Sequence, residues 1–166
     1  MIILGIDPGT TSIGYSILDC TQKPPRLLDA KLLPVMRGAP EDRLMDIHKE
    51  IKKLIEQWKP TATSVEKLFF AKNAKTAMTV SEARGVILLT AMLAGIKVYE
   101  YTPLTIKKVV TGDGNADKTQ VQKMVRLTLK ETAAIPSQDD VFDSIASALC
   151  CFYQEGNQSN QWKKYA

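Results

Sequence analysis

The sequence predicts an α/β domain built on a mixed five-stranded sheet with helices on both faces. Three observations carry that prediction. The first 33 residues hold three short apolar runs separated by turn residues, the pattern of an antiparallel meander. From residue 41 onward, segments of helical periodicity alternate with two further short runs of β type. Strands joined through helices run parallel, so a meander followed by such units gives one sheet with both strand directions.

The elements follow in order. Ile2 to Ile6 is the first strand, and Asp7-Pro8-Gly9-Thr10-Thr11 makes a tight turn. Ile13 to Leu18 and Leu27 to Leu33 are the second and third strands. Lys23-Pro24-Pro25 and Gly38-Ala39-Pro40 bracket the third. Glu41 to Trp58 is a helix, because Leu44, Ile47, Ile51, Leu54, Ile55 and Trp58 recur at spacings of three and four, and Pro60 ends it. Ala62 to Glu66 is a short strand closed by an acid. Lys75 to Ala94 is a second helix, closed by Gly95. Its residues Met78, Val80, Ala83, Val86, Ile87, Leu88, Ala91, Met92 and Leu93 cover more than one face, so it is deeply buried or shared with a partner chain. Lys97 to Tyr101 is the fifth strand. Thr102-Pro103 opens a short helix that ends at Gly112. Asp117 caps a helix running through Lys130, with Gln120 completing a capping box. Ser137 is expected to cap the last helix, with Asp140 at its third position and Val141, Phe142, Ile145, Ala148, Leu149 and Phe152 on its buried side. Residues 1–155 are expected to form the one domain, and the polar, poorly patterned residues 156–166 a flexible tail.

Composition narrows the function classes. A chain of 166 residues, 45% hydrophobic and 24% charged, is neither disordered, collagenous nor coiled-coil. Its longest apolar stretch, Val86 to Ala94, is interrupted by Thr90 and falls far short of the roughly 20 residues a membrane helix needs. The opening MIILGIDPGTT has no basic start and carries an acid at position 7, unlike a signal peptide. Cys20, Cys150 and Cys151 are an odd set without metal-like spacing, which suggests a reduced, cytoplasmic protein. Cys150 and Cys151 read as core or interface filler, and His48 as a surface residue without a role. Residues 67–126 carry 10 Lys and Arg against 4 Asp and Glu, while the flanks are neutral or acidic. A basic middle beside isolated acids suits a polyanion held next to a carboxylate site. A solvated lysine-rich surface accounts for the charge equally well.

Four acids stand out. Asp7 closes the first strand, Glu66 closes the fourth, and Asp140 and Asp143 lie three apart, on one face of the last helix. Acids at neighbouring strand ends and on a facing helix can converge. Carboxylates without His or Cys are hard oxygen ligands that suit Mg²⁺ or Mn²⁺, and the matching chemistry is two-metal phosphodiester hydrolysis. Simpler readings exist for two of them: Asp7 as a turn former, and Asp140 as a favourable helix N-terminal acid. Glu66 is harder to explain that way, because an acid in an apolar strand end needs a partner.

The blocks GIDPGTTSIGYSIL, VEKLFFAKNAKTA with SEARGVILL, YTPLTIKKVVTGDGNADKTQVQKMV and QDDVFDSIASAL occur in that order from residue 2 to about residue 152. Together they resemble the RuvC family of Holliday junction resolvases. The resemblance implies a ribonuclease H-like fold, a homodimer, and Mg²⁺-dependent paired nicking of four-way junction DNA in recombination and repair. It further implies two Mg²⁺ per subunit, with Mn²⁺ able to substitute, and partnership with the RuvA–RuvB branch-migration complex. The family's acidic positions fall on Asp7, Glu66, Asp140 and Asp143, which would be both catalytic and metal-binding. The family pattern D-x-x-D-A stands here as Asp140-Val-Phe-Asp143-Ser144, with Ser144 in place of the usual Ala. Asp139 stands beside Asp140 as an alternative third ligand. The resemblance also puts Lys107 and Lys118 near the scissile phosphate as catalytic cations, and Phe69 against an unpaired base. Lys72, Asn73, Lys108 and Lys123 would contact DNA.

Three other readings remain open at this level. Asp-x-Gly-Thr-Thr after a first strand also opens sugar kinases and actin-like ATPases, which need more than twice this length and a second phosphate loop. A relative of the same fold could process structured RNA. A junction-binding protein with a dead site is the non-enzymatic case.

Overall fold

The computed structural model describes residues 1–9, 12–36, 38–67, 74–130, 135 and 137–156. Its five strands are β1 (Ile2–Asp7), β2 (Gly14–Asp19), β3 (Arg26–Leu32), β4 (Ala62–Glu66) and β5 (Lys97–Tyr101). Its helices are α1 (Pro40–Trp58), α2 (Ala74–Leu93), α3 (Pro103–Thr111), α4 (Lys118–Leu129) and α5 (Asp139–Glu155). They form one sheet in the order β3-β2-β1-β4-β5. β1, β2 and β3 pair antiparallel, while β4 pairs parallel with both β1 and β5. This is the mixed five-stranded sheet expected from the pattern of runs and helices. Among the described residues no helix is long and apolar enough to cross a membrane.

Strand alternation sorts the core into two layers. Leu4, Ile6, Tyr15, Ile17 and Val65 face α1 and α2, together with Ile47, Ile51, Ala83 and Ile87. Ile3, Leu18 and Ala62 face the other way, onto α3, α4 and α5, where Ile106, Val121, Val125, Phe142, Ile145 and Leu149 pack. Cys150 and Cys151 are fully buried in that second layer, as expected of core filler.

α5 lies unusually close to the sheet. A Cβ built on Gly5 would stand 2.2 Å from the backbone oxygen of Ser144 and 2.8 Å from the Ala148 methyl. One built on Gly14 would stand 1.9 Å from the Asp140 carbonyl oxygen. An isolated glycine in a strand marks such a backbone approach. The contact is fixed laterally by Ser64, whose hydroxyl lies 2.8 Å from both the carbonyl oxygen and the hydroxyl of Ser147. Ser144, the departure from the family's alanine, is buried and returns its hydroxyl to Val141 O at 2.7 Å, so it adds no unmet donor.

Local capping chemistry holds for α3 and α4. Thr102 accepts from the Thr105 amide, Gly112 closes α3 at φ 86°, and Asp117 and Gln120 form the reciprocal capping box. It fails at α5. That helix begins at Asp139 with Gln138 as N-cap and no side-chain cap, so Ser137 does not cap it and Asp140 is the second helical residue. His48 is also not a plain surface residue. It is half-buried, and its Nδ1 lies 2.9 Å from Thr90 Oγ1, joining α1 to α2. Thr90 donates its own proton to Val86 O at 2.7 Å, so the histidine is the donor in that pair.

The close approach of α5 has a measurable consequence. Gly5→Ala forces a methyl into a backbone carbonyl and should lower the unfolding free energy by about 3 kcal/mol, the upper end for overpacking. Urea unfolding followed by far-UV circular dichroism measures it. An unchanged midpoint would show that α5 is not seated on Gly5.

Candidate active site

Parity and register bring the first two acids together. Asp7 follows Ile3 and Gly5 on the α5 face, and Glu66 follows Ala62 and Ser64 on the same face. Ile3 pairs with Ala62 and Gly5 with Ser64, so the next residues on that face of β1 and β4 are Asp7 and Glu66. On its other side Asp7 pairs with Gly14, the residue against which the Asp140 backbone rests. Asp143 lies one helical turn beyond Asp140. All four carboxylates are half-buried at this one edge.

Their electrostatics record the crowding. Burial, then the charges of Asp143, Glu66 and Asp140, push the Asp7 carboxyl up to about 8, with Lys118 opposing. Burial and Asp143 push Glu66 up to about 7, against Lys107 and Lys118. Burial raises Asp143 as well, opposed chiefly by Lys118. These shifts come from groups that resist sharing negative charge in a partly dry site.

Lys107 of α3 and Lys118 of α4 are therefore the cations whose charge is felt at the acids. Lys118 Nζ lies 3.1 Å from Asp139 Oδ2 and 4.0 Å from Asp143 Oδ2. Asp139 behaves differently from its neighbour. Its Oδ1 accepts from Gln122 Nε2 at 3.0 Å and its Oδ2 from Lys118, so both oxygens face α4. Asp140 turns the other way and accepts the Ser12 hydroxyl. Lys108 and Lys123 are exposed on α3 and α4, and neither is among the charges that shift the acids. Phe69, Lys72 and Asn73 lie outside the described residues.

Ser12, Gln122 and Arg43 were not singled out in the sequence. Arg43 of α1 donates to Gly9 O at 3.2 Å and so braces the turn that follows Asp7. Each acts through a contact distant in sequence, which no local pattern announces. Gly5 and Gly14 did carry a signal, as lone glycines inside strand patterns.

Among the described residues, no three acidic, histidine or cysteine side chains close into a ready-made metal cage. The donor set still fits a hard divalent cation. Every nearby anionic donor is a carboxylate, and a cation would relieve the repulsion that raises Asp7 and Glu66.

The sheet order β3-β2-β1-β4-β5, an antiparallel meander extended by two parallel strands, is that of a ribonuclease H-like α/β protein. The sequence profile of the family "Crossover junction endodeoxyribonuclease RuvC" matches residues 3–151. A protein of that name from Roseiflexus sp. (strain RS-1) is 47% identical over 151 residues, spanning 90% of this chain and 89% of its own. Its counterpart from Chloroflexus aurantiacus is 46% identical over 154 residues, spanning 92% and 93%. The structure of Thermus thermophilus RuvC in complex with a Holliday junction substrate superposes with a TM-score of 0.85 at 32% identity, covering 95% of this chain and 96% of that one. The chain belongs to the RuvC family of crossover junction endodeoxyribonucleases, and the resemblance carried by its sequence blocks is borne out.

The raised carboxyls set a pH dependence for the metal-free protein. Burial and mutual repulsion push the folded Asp7 and Glu66 carboxyls up to about 8 and about 7, well above the ordinary range of a carboxylate in an unfolded chain. Between those limits the folded state binds more protons than the unfolded one, so stability falls as pH rises. In chelator, the melting temperature should drop from pH 5 to pH 8.5, and Asp7→Asn should flatten the slope. Mg²⁺ should raise it more at pH 8.5 than at pH 5. Calorimetric scans check this, and a melting temperature that rises with pH in chelator would contradict the carboxyl cluster.

Proposed function

We propose that this protein resolves four-way DNA junctions by paired nicks, using Asp7, Glu66, Asp140 and Asp143 to hold divalent cations. The observation that carries the proposal is the meeting of those four acids at one sheet edge in a chain of the RuvC family. It is supported by the relative seen with a Holliday junction substrate. The family match over residues 3–151 favours the nuclease over the ATP-binding alternative, and the intact acid quartet speaks against a dead site.

Mg²⁺, two ions per subunit with Mn²⁺ as a substitute, would supply Lewis acidity that activates water and stabilises the leaving oxygen. The protein's residues do the rest. The four carboxylates hold the cations on the sheet edge. Lys107 and Lys118 stand where the scissile phosphate would meet the acids, and a fixed cation there stabilises charge that develops in the transition state. Lys108 and Lys123, exposed on α3 and α4, bind the backbone away from the reacting phosphate. Phe69, Lys72 and Asn73 complete the DNA contact, with Phe69 stacking on an unpaired base.

A strand-mapped cleavage assay on a synthetic four-way junction against linear duplex, with and without Mg²⁺, tests the reading. Asp7→Asn, Glu66→Gln, Asp140→Asn and Asp143→Asn should each abolish nicking and leave junction binding intact. Lys107→Ala and Lys118→Ala should lower the saturated single-turnover rate by about ten-fold or more. Lys123→Ala should instead raise the dissociation constant and flatten its salt dependence by about one unit. Full rate from the Lys107 and Lys118 variants at saturation would move both to the binding set.

The site acts as one of a pair in this proposal. Met78, Leu89, Met92 and Leu93 form an exposed stripe on α2, opposite the face that buries Ala83, Ile87 and Ala91. A second copy of the chain covers that stripe, and two-fold symmetry then presents one site to each of two strands. Partnership with the RuvA–RuvB complex and a cytoplasmic location, like the division into a domain over 1–155 and a tail over 156–166, belong to the same proposal. Sedimentation should give twice the 18.4 kDa chain mass, and Leu89→Asp should shift it to monomer. Monomers that still make paired nicks would refute the arrangement.

A further inference from the structure

We infer that Ser12 is a positioning residue that selects Asp140, rather than its neighbour Asp139, as the third carboxylate of the site. The role rests on the nuclease reading of those carboxylates and adds a residue to it.

Two adjacent aspartates open α5, and adjacent helical side chains point about 100° apart. They cannot both face the sheet edge. Asp139 is committed to α4, because Gln122 and Lys118 each hold one of its oxygens. Asp140 is committed to the β1–β2 turn, because Ser12 donates to its Oδ2. A hydroxyl donates a single proton, so it orients the carboxylate while leaving lone pairs for a cation.

The turn is fit to act as an anchor. Its start is tied to α1 by Arg43, which donates to Gly9 O at 3.2 Å. Its end is tied to the sheet margin, where the Leu33 amide donates to Ile13 O at 2.8 Å. Ser12 lies between these two ties and two residues ahead of Gly14, against which the Asp140 carbonyl is pressed. The same short segment thus fixes Asp140 twice, through its backbone at Gly14 and its carboxylate at Ser12.

Without the hydroxyl, the Asp140 side chain keeps its place in the helix but loses its orientation. Outer hydrogen bonds of this kind change metal affinity by about ten-fold or more when removed. Ser12→Thr and Ser12→Val are near-isosteric and differ in the hydroxyl alone. Isothermal titration of Mn²⁺ into the DNA-free, full-length protein should give wild-type affinity for Ser12→Thr. It should give about ten-fold weaker affinity for Ser12→Val. The Mg²⁺ concentration for half-maximal junction nicking should rise by the same factor in Ser12→Val, with the rate restored at saturating Mg²⁺. Wild-type Mn²⁺ affinity in Ser12→Val, with binding lost in Asp140→Asn, would overturn the role of Ser12 and leave the site reading standing. Equal loss in Ser12→Thr and Ser12→Val would also overturn it, because the hydroxyl would not be the cause. Unchanged affinity in Asp140→Asn would overturn the carboxylate reading itself.

Discussion

Two glycines let α5 lie against the sheet with backbone touching backbone. At Gly5 the nearest neighbour is the carbonyl of Ser144, and at Gly14 it is the carbonyl of Asp140. Side chains on either strand position would hold the helix off by the width of a methyl or more, and the helix residues facing Gly5, Ser144 and Ala148, are correspondingly small. A helix that starts on a strand end cannot approach so closely without bringing its first turn to that end. Asp140 and Asp143 reach Asp7 because of where α5 is seated, not because of any attraction among acids.

The acids in fact oppose the arrangement. Burial and mutual charge raise Asp7 and Glu66 well above the usual carboxylate range, so the folded chain holds a local strain that ionisation makes worse. The apolar layer beneath α5 supplies the opposing force, with Phe142, Ile145, Leu149 and Cys150 buried against Ile3, Leu18 and Ala62. Lys107 and Lys118 moderate the repulsion from the solvent side. Lys118 is exposed and shared between Asp139 and Asp143, so its contribution to stability is small.

What could be read from the sequence was what local chemistry decides. The bounds of β4 and β5 follow from apolar runs between breakers, and the capping box of Asp117 and Gln120 from a spacing of three. The face shared by Asp7 and Glu66 follows from alternation once β1 and β4 are neighbours. Ser137 shows the limit. Ser-x-x-Asp resembles a capping box, but the Asp140 carboxylate is drawn to Ser12, 128 residues away, and the helix starts one residue later than the motif implies. His48 was misplaced for the same reason, since its partner Thr90 sits on another helix. Such contacts depend on the assembled layers, and a linear pattern carries no trace of them.

The site therefore divides into two halves of different mechanical character. Asp7 and Glu66 sit on adjacent, hydrogen-bonded strands in fixed register, so their separation belongs to the sheet. Asp140 and Asp143 belong to α5. Lys107 and Lys118 belong to α3 and α4, whose buried residues Ile106, Val110, Val121 and Val125 pack in the layer with α5. A small shift of that layer would move two acids and both lysines together relative to the other two acids. Charge balance within the helical half would survive the shift, while the spacing between halves would change. Near the active edge, the β1–β2 turn spans the divide. It leaves the sheet at Asp7, is held to α1 by Arg43, and touches α5 through Ser12. The separation of the two pairs of acids is thus governed by the seating of α5 on Gly5 and Gly14 and by the bonds that Gly9 and Ser12 make to Arg43 and Asp140. Substitutions there can alter the spacing of the acids without replacing one of them.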